Sequence, residues 1–173
     1  MNKIVLRLSD YYRFCFSLIL GRPSNFSMVE SCLYASGIPA GSRAVKWLKK
    51  MGIDAVVSLT ERPINGSKEF NIYYNIPMIN GDPADPQVLK KAVLKINDLI
   101  NNGNCVLVHC SAGLGRTGMV IASYFIYTKH MDPEKALEKI KSIRPGSLED
   151  KEQIESIYKF AEWIKLEAAE THK

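Results

Sequence analysis

Cys110 and Arg116 lie six positions apart in the segment His109-Cys110-Ser111-Ala112-Gly113-Leu114-Gly115-Arg116-Thr117-Gly118, and a thiol and a guanidinium at that spacing suit chemistry on an oxyanion. A charged sulfur is soft enough to attack phosphorus, and the planar fork of an arginine holds two equatorial oxygens as the transition state forms. Gly113 and Gly115 let the backbone turn tightly, so that the N–H groups from Ser111, Ala112, Gly113, Leu114 and Gly115 face one anion. Thr117 is expected to hydrogen-bond the sulfur and stabilise it again as a leaving group when a phosphocysteine is hydrolysed. None of this calls for a metal or a cofactor.

The positioning elements are legible on either side. Cys105-Val106-Leu107-Val108 reads as a buried strand and Met119 to Phe125 as a helix, so the loop is also a helix N-terminus, where unpaired N–H groups and the dipole favour a phosphate and a thiolate. A bare Cys-x5-Arg pair arises by chance, and free cysteines are often merely buried. The preceding His, the internal glycines, the following Thr-Gly and the strand-to-helix context make this one specific. No Gly-Lys-Ser/Thr follows, which excludes a loop built for nucleotide polyphosphate and magnesium.

His-Cys-x-x-Gly-x-Gly-Arg-Thr-Gly resembles the active-site loop of the cysteine-dependent protein tyrosine phosphatases, and the short chain is similar to their small atypical dual-specificity branch. The likeness runs from about Pro23 to Trp163 and includes Val57-Ser58-Leu59-Thr60-Glu61 and Arg144-Pro145-Gly146-Ser147. It implies Cys110 as nucleophile, Arg116 as phosphate clamp and the Ser111–Gly115 backbone as cradle. His109 is then a buried modulator of the thiolate, or else a satisfied core histidine.

Such enzymes need a carboxylic acid to protonate the departing oxygen, help worth about 10²–10⁴ in rate. Counting forward from Ile76-Pro77, where relatives often carry that acid, gives Asn80, which has no proton to donate in this sense. Asp82, two residues on, is the first candidate. Asp85 before Pro86 reads as a helix N-cap, and Glu149 as a complement to a helix dipole. Glu61 either orients Arg116 or is solvated. Gln153 either positions the hydrolytic water, as the resemblance implies, or is solvated.

At 173 residues, 46% hydrophobic and 24% charged, the chain suits one α/β domain. The expected fold is a short central, mostly parallel sheet flanked by helices on both faces, with the phosphate-binding loop at the carboxyl end of a central strand. Helices are expected at 42–51, 86–102, 116–129, 133–143 (behind an Asp132 cap) and 150–168, with strands at 54–59, within 70–78 and at 105–108. In the last helix Ile154, Ile157, Tyr158, Ala161 and Ile164 form a core stripe.

Residues 23–173 form the expected phosphatase-type domain, preceded by an N-terminal segment, 1–22, packed on it. In that segment Tyr11, Phe14, Cys15, Leu18 and Ile19 share one helical face, and the apolar run is far too short for stable membrane insertion. The four cysteines, 15, 32, 105 and 110, have neither metal-ligand nor disulfide spacing. Cys105 reads as core, and a reduced thiol implies cytoplasm.

Net charge is +5, read here as too small and scattered to indicate nucleic acid. Expected partners are phosphorylated proteins or peptides, carrying phosphotyrosine and phosphoserine or phosphothreonine. An RNA 5′-phosphatase and a slow phosphate-binding module are the competing readings. The uncharged Ser111, Ala112 and Leu114 argue against highly anionic inositol head groups.

Overall fold

In the computed structural model, which describes residues 3–171, the chain runs α1 (Lys3–Leu20), β1 (Ser27–Glu30), β2 (Leu33–Ser36), α2 (Gly41–Lys50), β3 (Ala55–Ser58), a 3-10 turn (Ser67–Glu69), β4 (Ile72–Asn75), α3 (Pro86–Asn101), β5 (Val106–His109), α4 (Gly115–Lys129), α5 (Pro133–Ile143) and α6 (Lys151–Thr171). The five strands lie in the order β1-β2-β5-β3-β4. Only the β1–β2 pair is antiparallel. Ser36 and Ser58 both register with His109, so three parallel strands finish together where the catalytic-type loop begins.

Both β3 and β5 are buried along their whole length, which is why they read as unbroken apolar runs rather than as alternation. Their side chains nevertheless divide between two cores. Val106 and Val108 join Leu89, Val93, Ile96, Met119 and Phe125 under α3, α4, α5 and α6. Leu107 and Val56 face the other way, onto Val45 and Leu48 of α2. Every residue from Arg116 to Ile126 is buried, because α4 is enclosed by α3, α5 and α6 as well as by the sheet. A helix apolar all round belongs in that position.

The expected helices and three of the strands form within one to three residues of their expected ends, and the α/β architecture is as anticipated. The β1–β2 hairpin is the exception. Its four-residue strands, Ser-Met-Val-Glu and Leu-Tyr-Ala-Ser, carry too little periodicity to stand out, and β2 is held by its parallel partner β5.

That hairpin corrects the reading of the cysteines. Register of Leu33 with Val106 sets Cys32 beside Cys105, and the two form a disulfide with Cα atoms 4.1 Å apart, closing a separation of 73 residues. Cys105 is therefore a half-buried bridge rather than core, and the expectation of no disulfide is overturned.

Three smaller expectations also change. Among the side chains described on α1, residues 11–20, the fully buried one is Ser17, whose Oγ accepts the Ala40 N–H, while Tyr11 and Ile19 are exposed. In α6 Ile154, Ile157, Ala161 and Ile164 pack on the core as expected, but Tyr158 is exposed and Gln153 and Phe160 are buried beside them. Asp132 holds the N-cap position of α5, but its side chain makes no cap hydrogen bond and pairs with Lys135.

Denatured without reductant, the chain should present two thiols to a thiol-counting reagent, Cys15 and Cys110, and four after reduction. Four at the outset would show the Cys32–Cys105 pair open.

Candidate active site

Between β5 and α4 the backbone of Cys110–Leu114 is held by its carbonyl oxygens. His109 Nδ1 donates to Cys110 O (3.1 Å), Ile38 N to Ser111 O (3.0 Å), Asn25 Nδ2 to Ala112 O (2.9 Å), Arg144 Nη2 to Gly113 O (2.6 Å), and Gly118 N to Leu114 O (3.1 Å). A trans peptide aims its C=O and the next N–H in opposite directions. Pinning these oxygens on the outside therefore turns the following N–H groups to the inside, and the Gly113 N–H reaches Cys110 Sγ at 3.1 Å.

Two glycines are needed for steric reasons as well. Gly113 has φ +78°, and a Cβ there would stand 2.3 Å from the Ser36 carbonyl carbon. A Cβ on Gly115 would stand 2.6 Å from Gln153 Oε1, so the Gln153 amide rests directly against the loop. Gln153 is buried, brought in by the first turn of α6, where Asp150 Oδ1 accepts the Glu152 N–H at 2.9 Å.

Arg116 is 1% exposed, and its partners fix the guanidinium plane. Nη1 donates to Met78 O (2.9 Å), Leu59 O (3.2 Å) and Glu61 Oε2 (3.1 Å), and Nη2 donates to Ser111 Oγ (2.8 Å). Nε is buried without a protein acceptor. Donors left unpaired in a low-dielectric site cost about 1–3 kcal/mol each, which makes such a group a strong binder of an anion brought to it.

Glu61 is the orienting partner that the sequence left open. Its second oxygen accepts the Asn80 N–H at 3.0 Å, tying the segment that carries Asn80 and Asp82 to the arginine. Partial burial pushes the Glu61 carboxyl up, but a backbone N–H of its own, the Arg116 charge and the Asn80 N–H outweigh it and leave the group below the usual carboxylate range.

Asp82 is exposed on this tethered segment. Asp85 caps α3, its Oδ1 accepting the Gln87 N–H at 2.7 Å, and Glu149 is exposed beyond Gly146. Thr117 departs from expectation. Its hydroxyl is fully buried with no hydrogen-bond partner, so it makes no bond to Cys110 Sγ. His109 is also fully buried. Burial, assisted by the Arg116 charge, pulls it down to about 4 against the opposing effect of its bond to Cys110 O. It is a neutral Nδ1–H donor near pH 7.

Sequence reasoning quoted Arg144 without giving it a role. Its guanidinium is buried, bonded through Nη1 to Ser27 Oγ and Ala35 O and through Nη2 to Gly113 O. Burial lowers it to about 10, with Cys110 opposing, so it remains a cation at neutral pH. The Arg-Pro-Gly-Ser spelling after a helix carries the resemblance but says nothing of this reach across the hairpin.

Arg144→Met should cost about 1–3 kcal/mol in chemical denaturation for carbonyls left without a donor. Alkylation of Cys110 by iodoacetamide at neutral pH should slow severalfold, with Arg144→Lys recovering part of both effects.

For His109, the unfolded chain binds its proton near 6.5 and the folded chain only near 4. Stability is therefore present above pH 6.5 and lost as pH falls through that window, on the order of 3 kcal/mol across it. Urea midpoints measured down the pH scale should show this loss in the wild type and not in His109→Gln.

Comparison with known proteins agrees with this geometry. The sequence profile described as "Dual specificity phosphatase, catalytic domain" matches residues 33–162. Tyrosine phosphatase 123R of Invertebrate iridescent virus 6 is 30% identical over 138 residues, covering 76% of this chain and 89% of the viral protein. Protein tyrosine phosphatase domain-containing protein 1 of Danio rerio is 36% identical over 155 residues, 85% of this chain but only 22% of that longer protein. Among solved structures, Tk-PTP in its active form superposes with a TM-score of 0.71 at 25% identity, covering 80% of this chain and 97% of that one. PTPMT1, at 22% identity, shares the fold with a TM-score of 0.73 over 84% of this chain and 99% of that one. With the profile spanning four of the five strands, the loop and the first half of α6, this chain belongs to the family of dual specificity phosphatase catalytic domains and is a protein tyrosine/dual-specificity phosphatase.

Proposed function

We propose that the enzyme hydrolyses phosphotyrosine and phosphoserine or phosphothreonine in proteins through a phosphocysteine intermediate. The observation that carries this reading is the Gly113 N–H bonded to Cys110 Sγ beneath a buried Arg116 whose Nε has no protein acceptor. In the first step Cys110 Sγ forms a bond to phosphorus as the bond to the ester oxygen breaks, and that oxygen takes a proton from Asp82. Arg116 and the inward N–H groups bind the equatorial oxygens, where charge stays concentrated as the bond order shifts. In the second step a water positioned by Gln153 attacks phosphorus, gives its proton to the Asp82 carboxylate, and releases the sulfur as a thiolate.

The uncharged side chains at Ser111, Ala112 and Leu114 offer no cation to match a highly anionic head group. PTPMT1 has been solved in complex with PI(5)P, so a lipid phosphate belongs in the substrate panel beside phosphopeptides and triphosphate-ended RNA. The loop composition favours the phosphopeptides. We propose a cytoplasmic setting, in which the Cys110 sulfur stays reduced and the half-buried Cys32–Cys105 bridge is open to reduction.

Cys110→Ser should lose hydrolysis of an aryl phosphate by several orders of magnitude, and acid quenching during turnover of a ³²P-labelled substrate should leave label on Cys110 of the wild type. Asp82→Asn should lower kcat by about 10²–10⁴ and flatten the alkaline limb of the pH–rate profile, since the acid must be protonated to act. Absence of label on the sulfur would overturn the intermediate. A profile unchanged in Asp82→Asn would pass the proton donor's role to another group.

A further inference from the structure

The positive charge of this chain is not spread evenly. Residues 1–51 hold eight Lys and Arg against two Asp and Glu, and the remaining residues hold fifteen against sixteen. The fold gathers part of that excess on α2, whose Ala44, Val45 and Leu48 are buried while Arg43, Lys46, Lys49 and Lys50 are exposed. Arg43, Lys46 and Lys50 recur at three- and four-residue spacing and share one helix face. No ion pair to Lys46, Lys49 or Lys50 occurs among the described residues.

Beside this row α1 turns an apolar stripe to solvent. Tyr11 is 70% exposed, Tyr12 68% and Ile19 71%, positions that fall on one side of a helix, whereas the inward side holds Ser17. Phe14, Cys15 and Phe16 are half-buried, so α1 packs on the domain and still leaves this stripe in water. The two helices are held together where Arg43 Nη2 donates to Leu18 O at 2.6 Å and the Ala40 N–H donates to Ser17 Oγ at 2.9 Å; within α1, Tyr12 contacts Phe16 with ring centroids 6.3 Å apart. Phe16 in turn lines a groove of about 340 Å³ with Phe26, Trp47 and Met51, with Arg22 beside them.

We propose that the α1–α2 face docks on an anionic lipid surface. Tyrosines and aliphatic side chains flanked by cations are the composition that settles at the boundary between head groups and acyl chains, where the apolar stripe leaves water and each cation meets the negative surface potential. A nucleic acid backbone would satisfy the lysines and leave Tyr11, Tyr12 and Ile19 in water. A second copy of the chain, related by a two-fold axis, would bring the cation row close to itself.

Among the described residues no helix is long and apolar enough to cross a membrane, so α1 would lie along the surface. The segment after α1 then runs to the phosphate loop, where Asn25 holds Ala112 O. Docking thus sets the pocket beside phosphoproteins of the same membrane. This inference is independent of the proposed chemistry.

The test is flotation of the whole chain with vesicles of phosphatidylcholine alone and of phosphatidylcholine with phosphatidylserine, with hydrolysis of a soluble aryl phosphate followed in parallel. The wild type should float with the mixed vesicles only and be released by raising salt from about 0.1 M to about 1 M. Neutralising Lys46, Lys49 and Lys50 together to Gln should weaken partitioning on the order of a hundredfold, about fivefold per cation. Ile19→Asp should abolish it, and both variants should keep the soluble activity. Failure to float, equal flotation with neutral vesicles, or flotation unaffected by Ile19→Asp would overturn the proposal. So would a dimer by light scattering that Ile19→Asp dissociates, which would assign the stripe to a second copy, or binding of RNA in preference to the mixed vesicles.

Discussion

The chemistry of this protein rests on peptide oxygens being held away from the pocket. Five successive carbonyls, Cys110 through Leu114, each have a donor outside the loop's hollow: an imidazole, a backbone N–H from the β2–α2 connection, an asparagine amide, a guanidinium and an N–H of α4. These donors come from parts of the chain as far apart as Asn25 and Arg144, so the whole fold is needed to orient one short run of amides. Preorganisation of this kind places donors where negative charge gathers without reorganisation at the moment of reaction. The same arrangement explains why an Ala at 113 has no room: that carbonyl-out conformation brings the loop against Ser36 and Gly37.

Two buried guanidinium groups bond to the loop that carries Cys110. Burying a cation is costly unless it is paired or hydrogen-bonded, and the two arginines meet that cost differently. Arg116 has a carboxylate, Glu61, together with carbonyls of Leu59 and Met78. Arg144 meets only neutral acceptors, Ser27, Ala35 and Gly113. Its charge is therefore less compensated by its immediate neighbours, which leaves it the more effective at favouring an anion nearby.

The site was legible in the sequence wherever its chemistry is local. Residues 109–118 are contiguous, and the strand before and helix after are long enough in apolar character to be read directly. Glu61 and Gln153 were legible only as alternatives, since whether an end-of-element side chain turns inward depends on what packs there. Arg144 and Asn25 were not assigned roles because their partner is a main-chain oxygen, which no residue type betrays. The Thr117 hydroxyl is buried without a partner, and its adjacency to Arg116 in the sequence carries no information on which way it turns. The β1–β2 hairpin escaped notice for lack of length, and with it went the proximity of Cys32 to Cys105. The α1 face was identified by periodicity, but periodicity gives a face and not the direction in which it looks.

Glu61 divides its two oxygens between the Arg116 guanidinium and the Asn80 N–H. An oxyanion arriving in the pocket competes for the same guanidinium, and any resulting shift of the carboxylate passes to the segment holding Asp82. Such a coupling is necessarily reciprocal: an oxyanion that draws the guanidinium from Glu61 loosens that segment, and a contact that fixes Glu61 on the guanidinium weakens the hold on the oxyanion. Departure of the freed anion and the return of the Asp82 segment to its starting position are then one event, because Glu61 recovers the guanidinium as the pocket empties.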